Sequence, residues 1–582
     1  MKLLVVARHF GCLRNYESVV LALAAQGHRV QLVGLTDDIL DGTEVAAGLV
    51  ARGAGRITTE RRVVAPTSEL VRKLRLAVDY LRYLEPAYAG APRLRHRAWE
   101  RTPRGVLGLL RVPGVGSRWG RRLLAVVLRR LEAAVPLDTE VAAYLRAVAP
   151  DVVMLTPLIG LGAPEQEYYR VAQALGFRTV FGVWSWDNLS SKSVLRSVPS
   201  LMTVWNEVQR REAEELHGVP RTRIAVTGAQ CFDQWFERQP TRSREAFCAR
   251  VGLPAERPFV LYVCSALFAG SPSEAVFVRR WVETLRTQPA LREVGVLVRP
   301  HPSREKEWAQ VSLAGLGPVV RWGANPVDSE AKADYYDSLQ YTTAVVGLNT
   351  SAFLEAAILE KPVLTLLLDE FKENQEGTLH FHYLLGEDGL LTVARDWATH
   401  GRQLAAAVEA PVAVRSRAFA DQFLRPQGRE VSSTDQWVTA VETLAATPAP
   451  ASATPLSIHT AAESVWKFCE YAANFPSVAR LFQDPPSFGE IRQREERLRI
   501  DRRQKEDLLH EREVTRLARE ELRDRRHRGA AIEKTNEQRR KEAAKQLRIK
   551  DKRRLMAQAR RQRVQHLVVS RVKRLIGLTS QR

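Results

Sequence analysis

The chain has 582 residues, 45% of them hydrophobic and 26% charged, which supports a real core and excludes a wholly disordered or fibrous protein. Its 87 Lys and Arg against 66 Asp and Glu leave a net +21. The excess is uneven: residues 488–582 hold 31 basic and 15 acidic side chains, +16, and the first 487 residues only +5.

Five scattered cysteines, Cys12, Cys231, Cys248, Cys264 and Cys469, form no Cys-x-x-Cys or Cys/His cluster. A disulfide scaffold and a structural zinc module are therefore not expected, and a reducing compartment is. Met1–Arg14 carries a short apolar run broken by Arg8 and His9, which reads as a first core strand rather than a secretory signal. No stretch approaches the roughly 18 apolar residues of a membrane span. A cytoplasmic protein able to touch the inner face of the plasma membrane is expected.

In chain order, Lys2–Ala7 predicts a strand, Asn15–Gln26 a helix stopped by Gly27, and Arg29–Gly34 a second strand. The pattern resumes with helix 141–148, strand 151–156, helix 165–175 and strand 178–183. Strand 201–205, helix 207–217 and strand 223–227 complete it. Nearly continuous apolar strands alternating with helices imply a parallel sheet covered on both faces. A second series follows Pro258: strand 259–264, helix 274–286, strand 295–299, strand 343–347, helix 351–360 and strand 362–367. Terminal helices are expected at 415–423 and 431–445. The expected fold class is α/β, two tandem Rossmann-like doubly wound domains with a cleft between the carboxyl ends of their strands, plus a charged helical extension. The expected domains are 1–240, 241–446, a linker with a short helical segment at 447–487, and a tail at 488–582.

Two regions stand apart. Residues 61–135 hold 17 basic and 5 acidic side chains, +12, interleaved with Leu70, Leu74, Val78, Leu81, Leu123 and Val127. They read as basic amphipathic helices. Residues 446–455 are a Pro/Ala linker. An apolar patch, Val465 to Phe482, and Pro485-Pro486 come next. From about Glu490 the apolar positions (Leu498, Ile500, Leu508, Val514, Leu517) hold no clean heptad, so a solvated, charge-paired helix is expected instead of a strict coiled coil. Val564–Leu578 turns apolar again. Phe, Tyr and Trp are absent after Phe488, which argues against base stacking and hence against single-stranded nucleic acid. An anionic membrane surface contacted through 61–135 and 488–582 is favoured.

The chemistry-bearing strings are Leu297-Val-Arg-Pro-His-Pro302 and Gly347-Leu-Asn-Thr-Ser-Ala-Phe-Leu-Glu355, both at the ends of expected parallel strands. A helix start with Asn349, Thr350 and Ser351 offers N–H and hydroxyl donors to a phosphate. His301, between two prolines, and Arg299 can donate to the same group. Glu355 can accept from ribose hydroxyls. The alternative is that Thr350 and Ser351 cap a helix and His301 ends a strand.

This layout resembles the two-domain GT-B glycosyltransferase superfamily over about residues 1–446. The His-Pro after a strand and the Thr-Ser helix start resemble the CDP-glycerol glycerophosphotransferases and bacterial sialyltransferases. Thr350-Ser351, Glu355 and Lys361-Pro362-Val363 also resemble the nucleotide helix of the UDP-N-acetylglucosamine 2-epimerases. Val226-Thr-Gly-Ala-Gln with Asp233 resembles their interdomain connection. The resemblance implies a nucleotide-linked donor whose phosphates His301, Thr350 and Ser351 hold. The pattern departs from retaining enzymes, because Val363 stands where Glu-x7-Glu needs a second Glu, so inversion is favoured. The sialyltransferase acidic-acidic-Gly string occurs only at Glu387-Asp388-Gly389, after His301 rather than before it. No Asp-x-Asp occurs, so a metal-independent transfer with no cofactor is expected, with His301, the helix start and Arg299 facing the leaving diphosphate.

An inverting transfer needs a base on the acceptor side. Asp187, in Trp184-Ser-Trp-Asp187-Asn188, is the first candidate and His9 the second; Asp187 also fits a turn. Trp184 and Trp186 suit either sugar stacking or a core. Asn206 and Glu207 read as a helix start. His380 and His382 would share one face of a strand, without an evident third zinc ligand. Gln375 and Glu376 can line the nucleotide pocket. Gly160-Leu-Gly162 and Gly114-Val-Gly116 do not match a dinucleotide fingerprint, so NAD is set aside. The expected activity is transfer of a sugar from a nucleotide-sugar to a glycan or lipid-linked acceptor. The alternatives are a CDP-glycerol-type glycerophosphotransferase and a non-catalytic binding module with an interaction tail.

Overall fold

The computed structural model describes residues 1–36, 42–62, 69–161, 163, 165–323, 325–326, 328–450, 459–483, 485 and 488–575. Residues 451–458 of the expected linker, Gly162, Pro486 and residues 576–578 of the last apolar stretch lie outside them, as do 63–68 of the basic insert. The chain divides into two compact units, Met1–Gly489 and Glu490–Arg582.

The first unit holds two all-parallel sheets. One has seven strands: β1 (Lys2–Ala7), β2 (Arg29–Gly34), β3 (Ile57–Arg61), β4 (Val152–Thr156), β5 (Arg178–Gly182), β6 (Leu201–Val204) and β7 (Ile224–Val226), in the order 3-2-1-4-5-6-7. The other has six: β8 (Phe259–Val263), β9 (Gly295–Arg299), β10 (Val319–Arg321), β11 (Ala344–Gly347), β12 (Val363–Leu366) and β13 (Thr392–Ala394), in the order 10-9-8-11-12-13. Central strands such as β4, β8 and β9 are buried at every position, as their unbroken apolar runs require. Each order reverses once, between β1 and β4 and between β8 and β11. A crevice at the carboxyl ends follows at each reversal. The α/β doubly wound reading therefore holds in both halves.

Three strands escaped the sequence reading. β3, β10 and β13 are short edge strands, and β3 reads Ile-Thr-Thr-Glu-Arg with mostly exposed positions. An edge with one wet face needs no apolar run. The helix expected at 351–360 is only Ala352–Ile358, because Glu360 turns to φ 54° and ends it.

The insert departs more from expectation. Its helix Glu69–Tyr83 is not a surface amphipath. Lys73, Arg75, Asp79 and Arg82 are all buried. Arg75 sits between Glu132 (3.0 Å) and Glu167 (2.5 Å) and donates to the carbonyl of Ala163 at 3.2 Å. Asp79 accepts from Arg196 at 2.7 Å. Four of the insert's 17 basic side chains, Lys73, Arg75, Arg82 and Arg93, are thus spent inside. The later helix Arg118–Ala133 is the amphipathic one. Trp119, Leu123, Val126 and Val127 stand exposed on it, beside Arg118, Arg122, Arg129 and Arg130.

The helix Ser433–Ala446 returns to the first sheet, where Trp437, Val438 and Val441 join the core under β1 and β5. Asp233 fastens this crossing. It accepts from Arg425 (2.8 Å) and from the backbone N–H groups of Ser433 (3.2 Å) and Thr434 (2.6 Å). Trp466, in helix His459–Ala473, is buried among Val71, Leu74 and Leu128 of the insert.

The second unit consists almost wholly of the helix Phe488–Leu575. Its described side chains are exposed, and ion pairs such as Arg525–Glu521 (2.9 Å) and Lys541–Glu537 (2.8 Å) stitch successive turns. Among the described residues no helix is long and apolar enough to cross a membrane.

Candidate active-site cleft

Three adjoining cavities, of about 520, 310 and 320 Å³, follow the carboxyl ends of the two sheets. The largest lies at the β1/β4 reversal, between His9 and the Pro157–Gly160 turn, where Leu158 takes φ 38°. The third lies at the β8/β11 reversal, lined by Leu267, His301, Asn349 and Thr350. The second shares Trp184 with the first, and Ser185, Trp186 and Ser351 with the third. The two reversal crevices thus open on one continuous cleft.

On the first-sheet side, His9 follows β1 and lines the largest cavity, its Nε2 3.5 Å from Cys12 Sγ. Asp187 lines the third cavity, so the two base candidates are not brought together in one cavity. Asp187 accepts from the hydroxyls of Ser185 and Ser191, both at 2.6 Å, and pairs with Lys192 at 3.0 Å. Burial alone would raise its carboxyl, but Lys192 and the two hydroxyls outweigh burial and hold it well below the usual carboxylate range. Such a carboxylate is a poor proton acceptor and a good anchor. Trp184 and Trp186 both line the cleft, and Trp186 also packs into the second half's core. Asn206 does start a helix, its side chain accepting from the N–H of Gln209 at 3.0 Å.

On the second-sheet side, His301 Nδ1 accepts from the N–H of Ser303 at 3.2 Å. That leaves Nε2 to carry the proton. Burial, then Arg304, push the imidazole below its ordinary value, so it is neutral at pH 7. The Asn349 N–H donates to Ser265 Oγ (3.0 Å) and its amide to the Asn374 carbonyl (2.5 Å). Glu274, wholly buried, accepts from the Ser265 N–H at 2.7 Å, and burial pushes its carboxyl up to about 8. Ser265, Glu274 and Asn374 thus fix the Asn349–Ser351 loop, a role the sequence did not reveal. Thr350 Oγ1 accepts from the N–H of Ala352 at 3.3 Å, the capping alternative, while Ser351 is exposed and makes no cap. With only seven residues behind it, that helix start lends little dipole, and the side chains must carry the donor role.

Four residues are placed differently from expectation. Arg299 is buried, 4.8 Å below the Tyr335 ring, and is not among the residues lining the third cavity. Glu355 faces the second cavity rather than the third; it accepts from the Tyr335 hydroxyl, and burial lifts it to about 7 against that bond and Arg299. Gln375 does not line the cleft. It is buried and donates to the carbonyls of Leu348 and Leu366, while Glu376 pairs with Arg395. Asn374, one residue earlier, lines the third cavity instead.

His380 and His382 lie in a 3-10 turn, His380–Leu384, not a strand, and point oppositely: His380 is buried and His382 exposed. His380 stands edge-on to Trp186 at 4.6 Å, and burial lowers it to about 4. Among the described residues no group of three or more His, Cys, Asp or Glu is placed to hold a metal.

One further element borders the cleft. The insert helix Pro92–Trp99 reaches both halves. Arg97 donates to the Ser191 carbonyl, and Arg93 donates to the Ala269 carbonyl and approaches Glu373 at 3.7 Å.

The architecture is that of the GT-B fold. No protein-family model matches the chain, and no curated protein does. Among solved structures it is similar to a glycosyltransferase from Rickettsia africae, at 9% identity, covering 77% of this chain and 99% of that one with a TM-score of 0.44. It is also similar to a putative UDP-N-acetylglucosamine 2-epimerase from Listeria monocytogenes, at 12% identity, 77% and 98% coverage and TM-score 0.44. A UDP-GlcNAc 2-epimerase from Neisseria meningitidis bound to UDP-GlcNAc gives 11% identity, 76% and 100% coverage and TM-score 0.42. The fold assignment rests on the two strand orders, not on these similarities.

Proposed function

We propose that the protein is an inverting glycosyltransferase that moves a sugar from a nucleotide-sugar donor to a glycan or lipid-linked acceptor. The observation that carries this reading is the single cleft joining two switch-point crevices. One is lined by His9 and the other by His301, Thr350 and Ser351. His301 Nε2–H and the Thr350 and Ser351 hydroxyls receive the donor's phosphates. Arg97 and Lys192, which line the same cavity, add positive charge as the diphosphate leaves. Glu355, on the adjoining cavity shared through Ser351, accepts from the ribose. His9 takes the proton of the acceptor hydroxyl, which attacks the anomeric carbon on the face opposite the leaving group. Arg299 acts in this reading by supporting Tyr335 and Glu355.

A calorimetric panel of CMP, CDP, UDP, GDP and their sugar conjugates tests the reading. One nucleotide should bind wild type and be lost in His301→Ala, with turnover falling about 10²-fold or more. Unchanged turnover in that variant would sink the assignment. The leaving diphosphate is met here by protein groups alone, so chelation with EDTA should leave the rate unchanged. A phosphodiester product in place of a glycoside would shift the assignment to glycerophosphate transfer.

The acceptor, in the same proposal, is met at an anionic membrane face. Trp119 (77% exposed), Leu123 (67%) and Phe468 (70%) stand out of the insert and the helix packed on it, among exposed arginines. The protein should co-sediment with phosphatidylglycerol vesicles and not with phosphatidylcholine. Leu123→Glu with Val127→Glu should abolish this; vesicle binding unchanged by that pair would move the contact elsewhere.

A further inference from the structure

The largest of the three cleft cavities has a lining the transfer reaction does not by itself require. Arg8, Arg14, Arg97, Arg101 and Lys192 face it, and among the described residues none that lines it is an Asp or Glu. We propose that this cavity binds an oxyanion carried by the acceptor, a phosphate monoester or a carboxylate, so that the substrate on this side is an anionic rather than a neutral glycan. The inference rests on the transferase reading for the word acceptor, but the anion site stands on its own geometry.

Three separate stretches of chain deliver these cations. Arg8 and Arg14 follow β1, Arg97 and Arg101 come from the insert, and Lys192 follows the turn after β5. Like charges gathered in a concave wall repel one another and raise the local potential; the arrangement becomes favourable when an anion fills it. Two of the cations are held in place by carboxylates. Glu165, with no exposed surface, accepts from Arg8 Nε (3.2 Å) and from its terminal nitrogen (2.7 Å), and Asp187 holds Lys192 at 3.0 Å. Glu165 is fully buried, and Asp187 lines the adjoining third cavity. Arg97 is positioned by the Ser191 carbonyl and the Phe268 ring, 5.9 Å away, neither of which cancels its charge. Guanidinium groups present paired N–H donors that match the two oxygens of a carboxylate or phosphate.

Position separates this anion from the donor's phosphates. Arg97 and Lys192 also line the third cavity and can serve either, but Arg8 and Arg101 line only the first of the three cleft cavities. The Trp184 side chain completes the wall, so a sugar ring has an aromatic surface beside the anion subsite.

Titration of the full chain with glucose 6-phosphate, glucuronate and glucose tests this. The two anionic sugars stand for the two possible sources of the oxyanion, and glucose is the neutral control. At least one anionic sugar is expected to bind at least tenfold more tightly than glucose and to weaken as salt rises. Arg101→Glu, an exposed position, should reduce that affinity tenfold or more, and Arg8→Gln provides a second, milder variant. His301→Ala should leave it unchanged while losing nucleotide, which keeps this result separate from the donor-site test. Equal binding of charged and neutral sugars, no binding of either anion, or loss in His301→Ala with retention in Arg101→Glu would overturn the proposal.

Discussion

Glu355 shows how one buried carboxyl ties binding to pH. Burial lifts it to about 7, and the ionised form is the better acceptor for a ribose hydroxyl. Nucleotide affinity should therefore rise between pH 6 and 8 in wild type and stay flat in Glu355→Gln, as calorimetry at several pH values would show. Asp187 behaves in the opposite sense: it stays ionised far into acid and resists protonation. His9→Gln should thus lower kcat by about 10²–10⁴, whereas Asp187→Asn should cost less than about tenfold in steady-state assays. That His301, Thr350 and Ser351 would line the cleft was legible because strand ends and helix starts face it. The anchoring of Asp187 was not, since its hydroxyl and ammonium partners converge only once the 184–192 turn closes. Ser265 and Glu274 were invisible for a related reason. A Glu in a helix's first turn looks ordinary until burial and the Ser265 N–H give it a role.

Among the elements, the central strands were readable because both faces are buried and leave unbroken apolar runs. The edge strands β3, β10 and β13 were not, because half their positions meet water or lie under loops. The insert taught the reverse lesson: high positive charge does not mean an exposed helix. Arg75, with no exposed side chain, bridges Glu132 and Glu167. Arg75→Met would leave two buried carboxylates facing each other. It should cost about 3–5 kcal/mol in denaturant unfolding, a loss larger than any single exposed arginine of the same insert would give. Trp466 is the corresponding anchor for the segment after the linker, buried in the apolar cluster built mainly by the insert.

Across the whole molecule, buried carboxyls set the pH response. Glu212 is lifted to about 7 and Glu274 to about 8, in both cases by burial first. A carboxyl raised in the folded state favours folding below its unfolded value and loses that contribution as pH rises through its folded value. Buried His380 and His400, lowered to about 4 and about 3 by burial, act with the opposite sign but only below 6.5. Between pH 6.5 and 8 the carboxyls act alone, so the thermal midpoint should fall across that interval. Glu212→Gln, which retains an acceptor for the Tyr383 hydroxyl from the other half, should make the fall shallower. The helix Pro92–Trp99 carries a different consequence. It is pinned by Arg97 to the first half and by Arg93 to the second, so the halves cannot part without letting go of one end. Any widening of the cleft must then break one of these two arginine–carbonyl contacts, so the insert acts as a strap between the halves.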